Sequence, residues 1–131
     1  MTASRPSTAA RVDLTPGSLH GLLPPPDELR TGAIVLVHGA WVGEWSWLPV
    51  LPHLSTSGRP VHLVSLTGQG IRRHQLSADI TLADHAADVT AVLDTFDLCD
   101  VTLVAHSYGG RVVTAALPTI GERLAAIVYL D

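Results

Sequence analysis

One serine stands where backbone shape could make it reactive. The stretch Val101-Thr102-Leu103-Val104-Ala105-His106-Ser107-Tyr108-Gly109-Gly110 reads as a strand, a sharp turn and a helix. A hydroxyl on such a turn is held in strained dihedrals that push it into the open, where it can attack an acyl carbon. The turn needs small residues two positions either side, so that strand and helix can approach. Ala105 and Gly109 fill those positions. The common form is Gly-x-Ser-x-Gly, and Ala105 is a mild departure because alanine is still small. The amide of Tyr108 and the N-terminus of the following helix aim at the same point, where they would stabilise a developing oxyanion. The same residues also suit a plain strand–helix junction with an incidental serine.

A second loop bears on that choice. His38-Gly39-Ala40-Trp41 follows an apolar run directly. Gly39 permits a tight backbone path, and the amide of Ala40 would supply a second oxyanion donor. Trp41, Trp45 and Trp47 cluster there. Trp47 has the spacing of a packing residue, while Trp41 suits either packing or the wall of an apolar substrate pocket. His20, His53, His62, His74 and His85 show no close histidine pairing, so no metal site is expected. His85, between apolar helix neighbours, reads as a satisfied, partly buried residue. Gly68-x-Gly70 follows a strand, but Arg73 occupies the position where a dinucleotide fingerprint needs glycine. Arg72 and Arg73 read as a solvated loop face.

The elements that must position these loops are legible in the hydropathy. Ile34–Val37, Val61–Leu66, Val101–Ala105 and Ala126–Leu130 are short apolar runs, suited to strands buried on both faces. Helical patterns lie between them. Glu44–Thr56 places Trp47, Leu51 and Leu54 on one face, with Pro49 and Pro52 predicting a late start or a kink. Thr81–Phe96 places Leu82, Ala86, Val89, Leu93 and Phe96 on one face behind a Thr81-x-x-Asp84 capping box. The third pattern, Tyr108–Leu117, is predicted to end at Pro118. Alternating strands and helices imply a parallel sheet, with ligands bound at the C-terminal ends of its strands.

Composition narrows the function further. The 131 residues carry a net charge of −4, with eight basic residues that are all arginine. No basic stripe could track phosphates, and no phosphate-loop lysine exists, so nucleic acid is not an expected partner. No apolar run approaches the roughly 18 residues that a membrane span needs, so no membrane partner is expected. The one cysteine, Cys99, cannot form an internal disulfide, which fits a reducing, cytoplasmic location. Residues 1–31 are rich in Pro, Ser, Thr and Ala without a sustained period, and are expected to form a disordered or loosely attached arm.

The segment Val35-Leu36-Val37-His38-Gly39-Ala40-Trp41…Trp45-Ser46-Trp47, followed about 70 residues later by His106-Ser107-Tyr108-Gly109-Gly110, resembles the α/β-hydrolase superfamily. Within it the chain looks like the branch of small esterases, hydroxynitrile lyases and plant methylesterases. Leu66-Thr67-Gly68-Gln69-Gly70 and Ile127-Val128-Tyr129-Leu130-Asp131 also look like that branch. The resemblance implies an α/β fold in which residues 32–131 form the N-terminal half of the domain. Its partial sheet has four parallel strands, ordered second, first, third, fourth, in a three-layer α/β/α arrangement. It implies Ser107 as nucleophile, oxyanion amides from Ala40 and Tyr108, a small-molecule ester as substrate, and no cofactor. It gives His38 a packing or loop-positioning role and turns His106 away from Ser107.

In this family the order is Ser, acid, His, with the last two on loops after later strands. No histidine follows Ser107 in this sequence. Some superfamily members take the acid from the position of Asp131, although relatives in the small-esterase branch often hold an acidic residue there without a catalytic part. The expectation is an ester hydrolase chain that lacks its triad histidine and has little activity alone. The alternatives are a non-catalytic protein binding a small ligand on the same fold, or a lyase of the same family. The fourth strand would present an apolar unpaired edge, open to self-association.

Overall fold

Strand formation begins where β-branched residues run without a break. Ile34–Val37 forms β1, every residue of which is buried. It is the inner strand that meets both β2 (Val61–Val64) and β3 (Val101–His106), and β4 (Leu124–Leu130) adds beyond β3. The order β2-β1-β3-β4 and the parallel sense of every pair agree with the expectation from sequence. This is a computed structural model, and it describes residues 30–131. The expected arm lies outside those residues apart from its last two. There Cys99 N–H donates to the Arg30 carbonyl at 2.7 Å, and Thr31 makes a parallel bridge with Cys99.

Alternation along β1 splits the core into two layers. Ala33, Val35 and Val37 face one way, joined by Val64, Leu66, Leu103 and Ala105 from the neighbouring chain segments. Against them pack Val89 and Leu93 of α2 (Leu82–Thr95) and Val112, Val113, Ala116 and Ile120 of α3 (Tyr108–Ile120). Ile34 and Leu36 face the other way, onto Trp47 and onto Leu51 and Leu54 of α1 (Leu51–Ser55). Each fully buried valine, leucine or isoleucine among them contributes about 1.5–3 kcal/mol, so the two-sided sheet is the main source of cohesion.

Local chemistry explains the helix limits. The first helical pattern is interrupted: a 3-10 turn spans Glu44–Trp47, and α1 begins only at Leu51, with Pro52 in its first turn where a missing N–H is harmless. At α2 the capping box is complete, with Thr81 Oγ1 accepting from Asp84 N–H and the Asp84 carboxylate accepting from Thr81 N–H at 2.7 Å. Donation to the carboxylate from Thr81, its N–H foremost and then its hydroxyl, holds the Asp84 carboxyl below its ordinary value. The predicted stop at Pro118 is corrected: α3 runs on to Ile120 with the proline in its last turn. A proline there forfeits one backbone bond, and the apolar face ending in the buried Ile120 compensates. The fourth strand starts two residues earlier than its apolar run. A register shift beside Val101 brings Leu124 and Ile127, three apart, onto the same helix-facing side.

Two glycines of α3 and its end separate packing from propensity. A Cβ on Gly109 would stand 2.7 Å from the Val37 carbonyl oxygen and 2.8 Å from that of His38, whereas one on Gly121 would meet nothing within 4 Å. Gly109→Ala is expected to destabilise the chain by about 2 kcal/mol or more, through overpacking against backbone that has nowhere to go. Gly121, already at helical dihedrals (φ −54, ψ −38), should gain about 0.5 kcal/mol on replacement by alanine. Urea midpoints of the two variants check this, and a Gly109→Ala midpoint equal to the parent would refute the contact.

Candidate active site

The C-terminal ends of β1 and β3 meet at Ser107. Its backbone sits at φ +51 and ψ −119, the strained turn that the sequence pattern predicts, at a cost of about 1–3 kcal/mol. Three contacts hold that turn. Ser107 N–H donates to the Leu130 carbonyl of β4 at 2.8 Å. Gly110 N–H donates to the Ser107 carbonyl at 2.9 Å. Gly109 presses against the last carbonyls of β1, as described above. Ala105 is fully buried within the core, so the departure from glycine is accommodated by packing alone.

The side chain of Ser107 is exposed, and among the described residues its Oγ has no hydrogen-bond partner. The loop after β1 lies directly against it: a Cβ on Gly39 would stand 3.3 Å from Ser107 Cβ and 3.0 Å from His106 Nδ1. Of the two expected oxyanion residues, Ala40 follows Gly39 in that loop and Tyr108 is the first residue of α3. A helix leaves the N–H groups of its first turn without intrahelical acceptors, and the first turn of α3 carries no acidic side chain to occupy them. The serine hydroxyl and the helix N-terminus thus meet at one strand end, where a helix start favours negative charge.

A shallow groove of about 530 Å³ opens beside Ser107, lined by Leu82, Gly110, Arg111, Thr114, Ala115 and Tyr129. Trp41 does not line it. It is 97% exposed at φ +66, next to Ala40 but facing outward. Trp47 is buried in the second core layer, as its spacing predicts. Asp131 is exposed, one residue beyond the Leu130 carbonyl that binds Ser107.

None of the described histidines has a hydrogen bond to Ser107. His106 turns its ring edge-on to Trp47, with centroids 6.4 Å apart. His38 is fully buried between two backbone groups: its Nε2 accepts from Leu66 N–H at 3.2 Å, so Nδ1 carries the proton and donates to the Gly39 carbonyl at 2.8 Å. Burial outweighs the Gly39 bond and lowers its pKa. His85 bonds Tyr108 Oη and the Thr67 carbonyl. Among the described residues no group of three or more His, Cys, Asp or Glu could hold a metal ion. No helix there is long and apolar enough to cross a membrane.

Sequence reasoning missed one part of this end of the sheet. Arg72 is not a solvated loop residue: its Nη1 pairs with Asp88 Oδ1 at 2.7 Å and donates to the Ser65 carbonyl at 3.2 Å. Residue spacing carries no signal for a pair that joins a loop to the middle of a helix.

The profile of the alpha/beta hydrolase family matches residues 34–131. A carbendazim-hydrolyzing esterase of Nocardioides sp. (strain SG-4G) is 40% identical over 97 residues, which is 74% of this chain and 40% of that protein. Methylesterase 9 of Arabidopsis thaliana is 36% identical over 97 residues, 73% of this chain and 38% of that protein. Among solved structures, polyneuridine aldehyde esterase superposes with a TM-score of 0.68 at 30% identity, covering 76% of this chain and 40% of the other. The chain therefore spans about two fifths of the length of these relatives.

The burial of His38 has a definite pH signature. The fold holds this ring neutral with its pKa below the ordinary 6.5, so the unfolded chain takes up a proton first as pH falls. Its contribution to stability is complete above about pH 6.5 and is lost as pH falls from there toward the folded value. His62, lowered by burial, acts with the same sign. Urea midpoints should fall between about pH 7.5 and pH 5, and His38→Gln should flatten that slope. A midpoint that rises on acidification would contradict the assignment.

Proposed function

This chain belongs to the alpha/beta hydrolase family, and on that premise we propose that residues 32–131 are the nucleophile-bearing half of a serine ester hydrolase domain. The observation that carries the reading is Ser107: a positive-φ serine with an unpartnered hydroxyl, set against Gly39 at the ends of two parallel strands. Ser107 Oγ attacks the ester carbonyl carbon, its proton passing to a base. The amides of Ala40 and Tyr108 hold the oxyanion of the tetrahedral intermediate. The bond to the alcohol then breaks, the alcohol leaves with a proton, and an acyl-serine remains for water to cleave. The substrate is a small-molecule ester, with the groove at Gly110 and Tyr129 taking one substituent; Trp41, which faces solvent, is left out of the pocket. The chemistry calls for no cofactor. The esterase names of the relatives support the reaction class, and the free thiol of Cys99 fits a cytoplasmic setting.

His38, His106 and His85 are engaged by Gly39, Trp47 and Tyr108, none of the described histidines bonds Ser107, and no histidine follows Ser107 in the sequence. We therefore expect the 131-residue chain to be acylated slowly and to turn over little. Intact-protein mass spectrometry with a p-nitrophenyl ester should show one acyl group, absent in Ser107→Ala. Acylation that persists in Ser107→Ala would overturn the nucleophile. Rapid steady turnover that Ser107→Ala abolishes would overturn the expectation of low activity.

We also propose that β4 pairs with a second copy of the chain. It is the last strand of the sheet, and Val128, Tyr129 and Leu130 are exposed along it. An open apolar edge offers unpaired backbone groups as a template. Sedimentation velocity should show concentration-dependent association that Val128→Lys removes. A wild-type chain that stays monomeric throughout would refute it.

A further inference from the structure

Helix α2 presents two polar residues, His85 and Asp88, to the loop after β2 and to the start of α3. His85 is only 6% exposed, and both its ring nitrogens are engaged. Nε2 lies 2.9 Å from the Thr67 carbonyl, which can only accept, so Nε2 carries the proton. Nδ1 is then an acceptor, and the Tyr108 hydroxyl donates a hydrogen bond to it at 2.8 Å. The two rings stand edge to face, with centroids 5.7 Å apart.

Thr67 is itself fixed. Its N–H and its Oγ1 donate to the two oxygens of Asp88 at 2.6 and 2.8 Å, and Arg72 closes the set through Asp88 Oδ1. A continuous polar chain thus runs Arg72–Asp88–Thr67–His85–Tyr108. Burying His85 and most of Asp88 costs desolvation, and apolar side chains would fill the same space more cheaply. What the chain secures is the one residue whose main-chain N–H follows Ser107.

We infer that His85 is a positioning residue: by gripping the Tyr108 hydroxyl it sets the direction of the Tyr108 N–H toward the oxyanion of a bound ester. This rests on the reading of Ser107 as nucleophile. The strained dihedrals of Ser107 would otherwise relax by rotating the adjoining peptide plane, and that plane carries the Tyr108 N–H. Anchoring the side chain at its far end opposes the rotation.

The test uses the intact chain with His85→Ala, Tyr108→Phe, the double variant and His85→Gln. Gln can accept at Oε1 and donate at Nε2, so it can span the same two partners. The first readout is the Tyr108 amide resonance in 15N–1H spectra, and the second is the rate at which a fluorophosphonate modifies Ser107. His85→Ala and Tyr108→Phe should each shift that amide and slow modification about tenfold, in the maximum rate rather than in half-saturation. The double variant should be no slower than either single one, and His85→Gln should stay within about twofold of the parent. An unmoved Tyr108 amide, equal modification rates, or additive losses with no rescue by glutamine would overturn the inference. A parent Ser107 that is never modified, with the amide shifting as expected, would sink the nucleophile and leave the grip of His85 on Tyr108 standing.

Discussion

The site depends on one close approach, that of Gly109 to the carbonyls ending β1. Helix α3 can begin where it does only because no side chain stands between it and Val37 and His38. That proximity brings the end of β1 beside the end of β3, so that Gly39 can touch Ser107. It also forces the chain to reverse within one residue, and the positive φ of Ser107 is the result. Backbone packing, not side-chain chemistry, creates the exposed hydroxyl.

The polar groups nearby serve to keep that backbone in place. His38 ties the β1 loop to Leu66, just beyond β2, and its neutral state follows from burial between a donor and an acceptor that each need one ring nitrogen. Leu130 of β4 holds the amide of Ser107 from the other side. Arg59 reaches from the segment before β2 to Gly32 and to Thr102 at 2.7 Å, which ties the starting ends of β1 and β3 together. The sheet is thus braced at both ends.

The four strands, the two-sided core and the turn at Ser107 were legible because each is written in consecutive residues. Ile34–Val37 needs no information from elsewhere to be read as buried, and Ala105-His106-Ser107-Tyr108-Gly109 carries its geometry in its small residues. The break near Pro49 was legible for the same reason. The end of α3 was not: Pro118 is a strong local stop, and it is overridden by the tertiary burial of Ile120. The pairing of Arg72 with Asp88 was equally hidden, since it depends on how a loop folds over a helix. Of the candidate site, Ser107, Tyr108 and Ala40 came from local pattern. Trp41 shows the limit of that pattern, because a tryptophan beside a site can face into it or out to solvent at the same sequence position.

The order of strands also governs how the sheet can be assembled. β1 is made first, yet its second neighbour, β3, begins only after residue 100. At ribosomal rates of about 5–20 residues per second, that edge of β1 waits on the order of several seconds for its partner. Through that interval Val35 and Val37 have only β2, and then α2, to cover them. The strand that ends up most protected is the one that spends longest exposed during synthesis, so the molecule's most aggregation-prone moment comes before Ser107 has been translated.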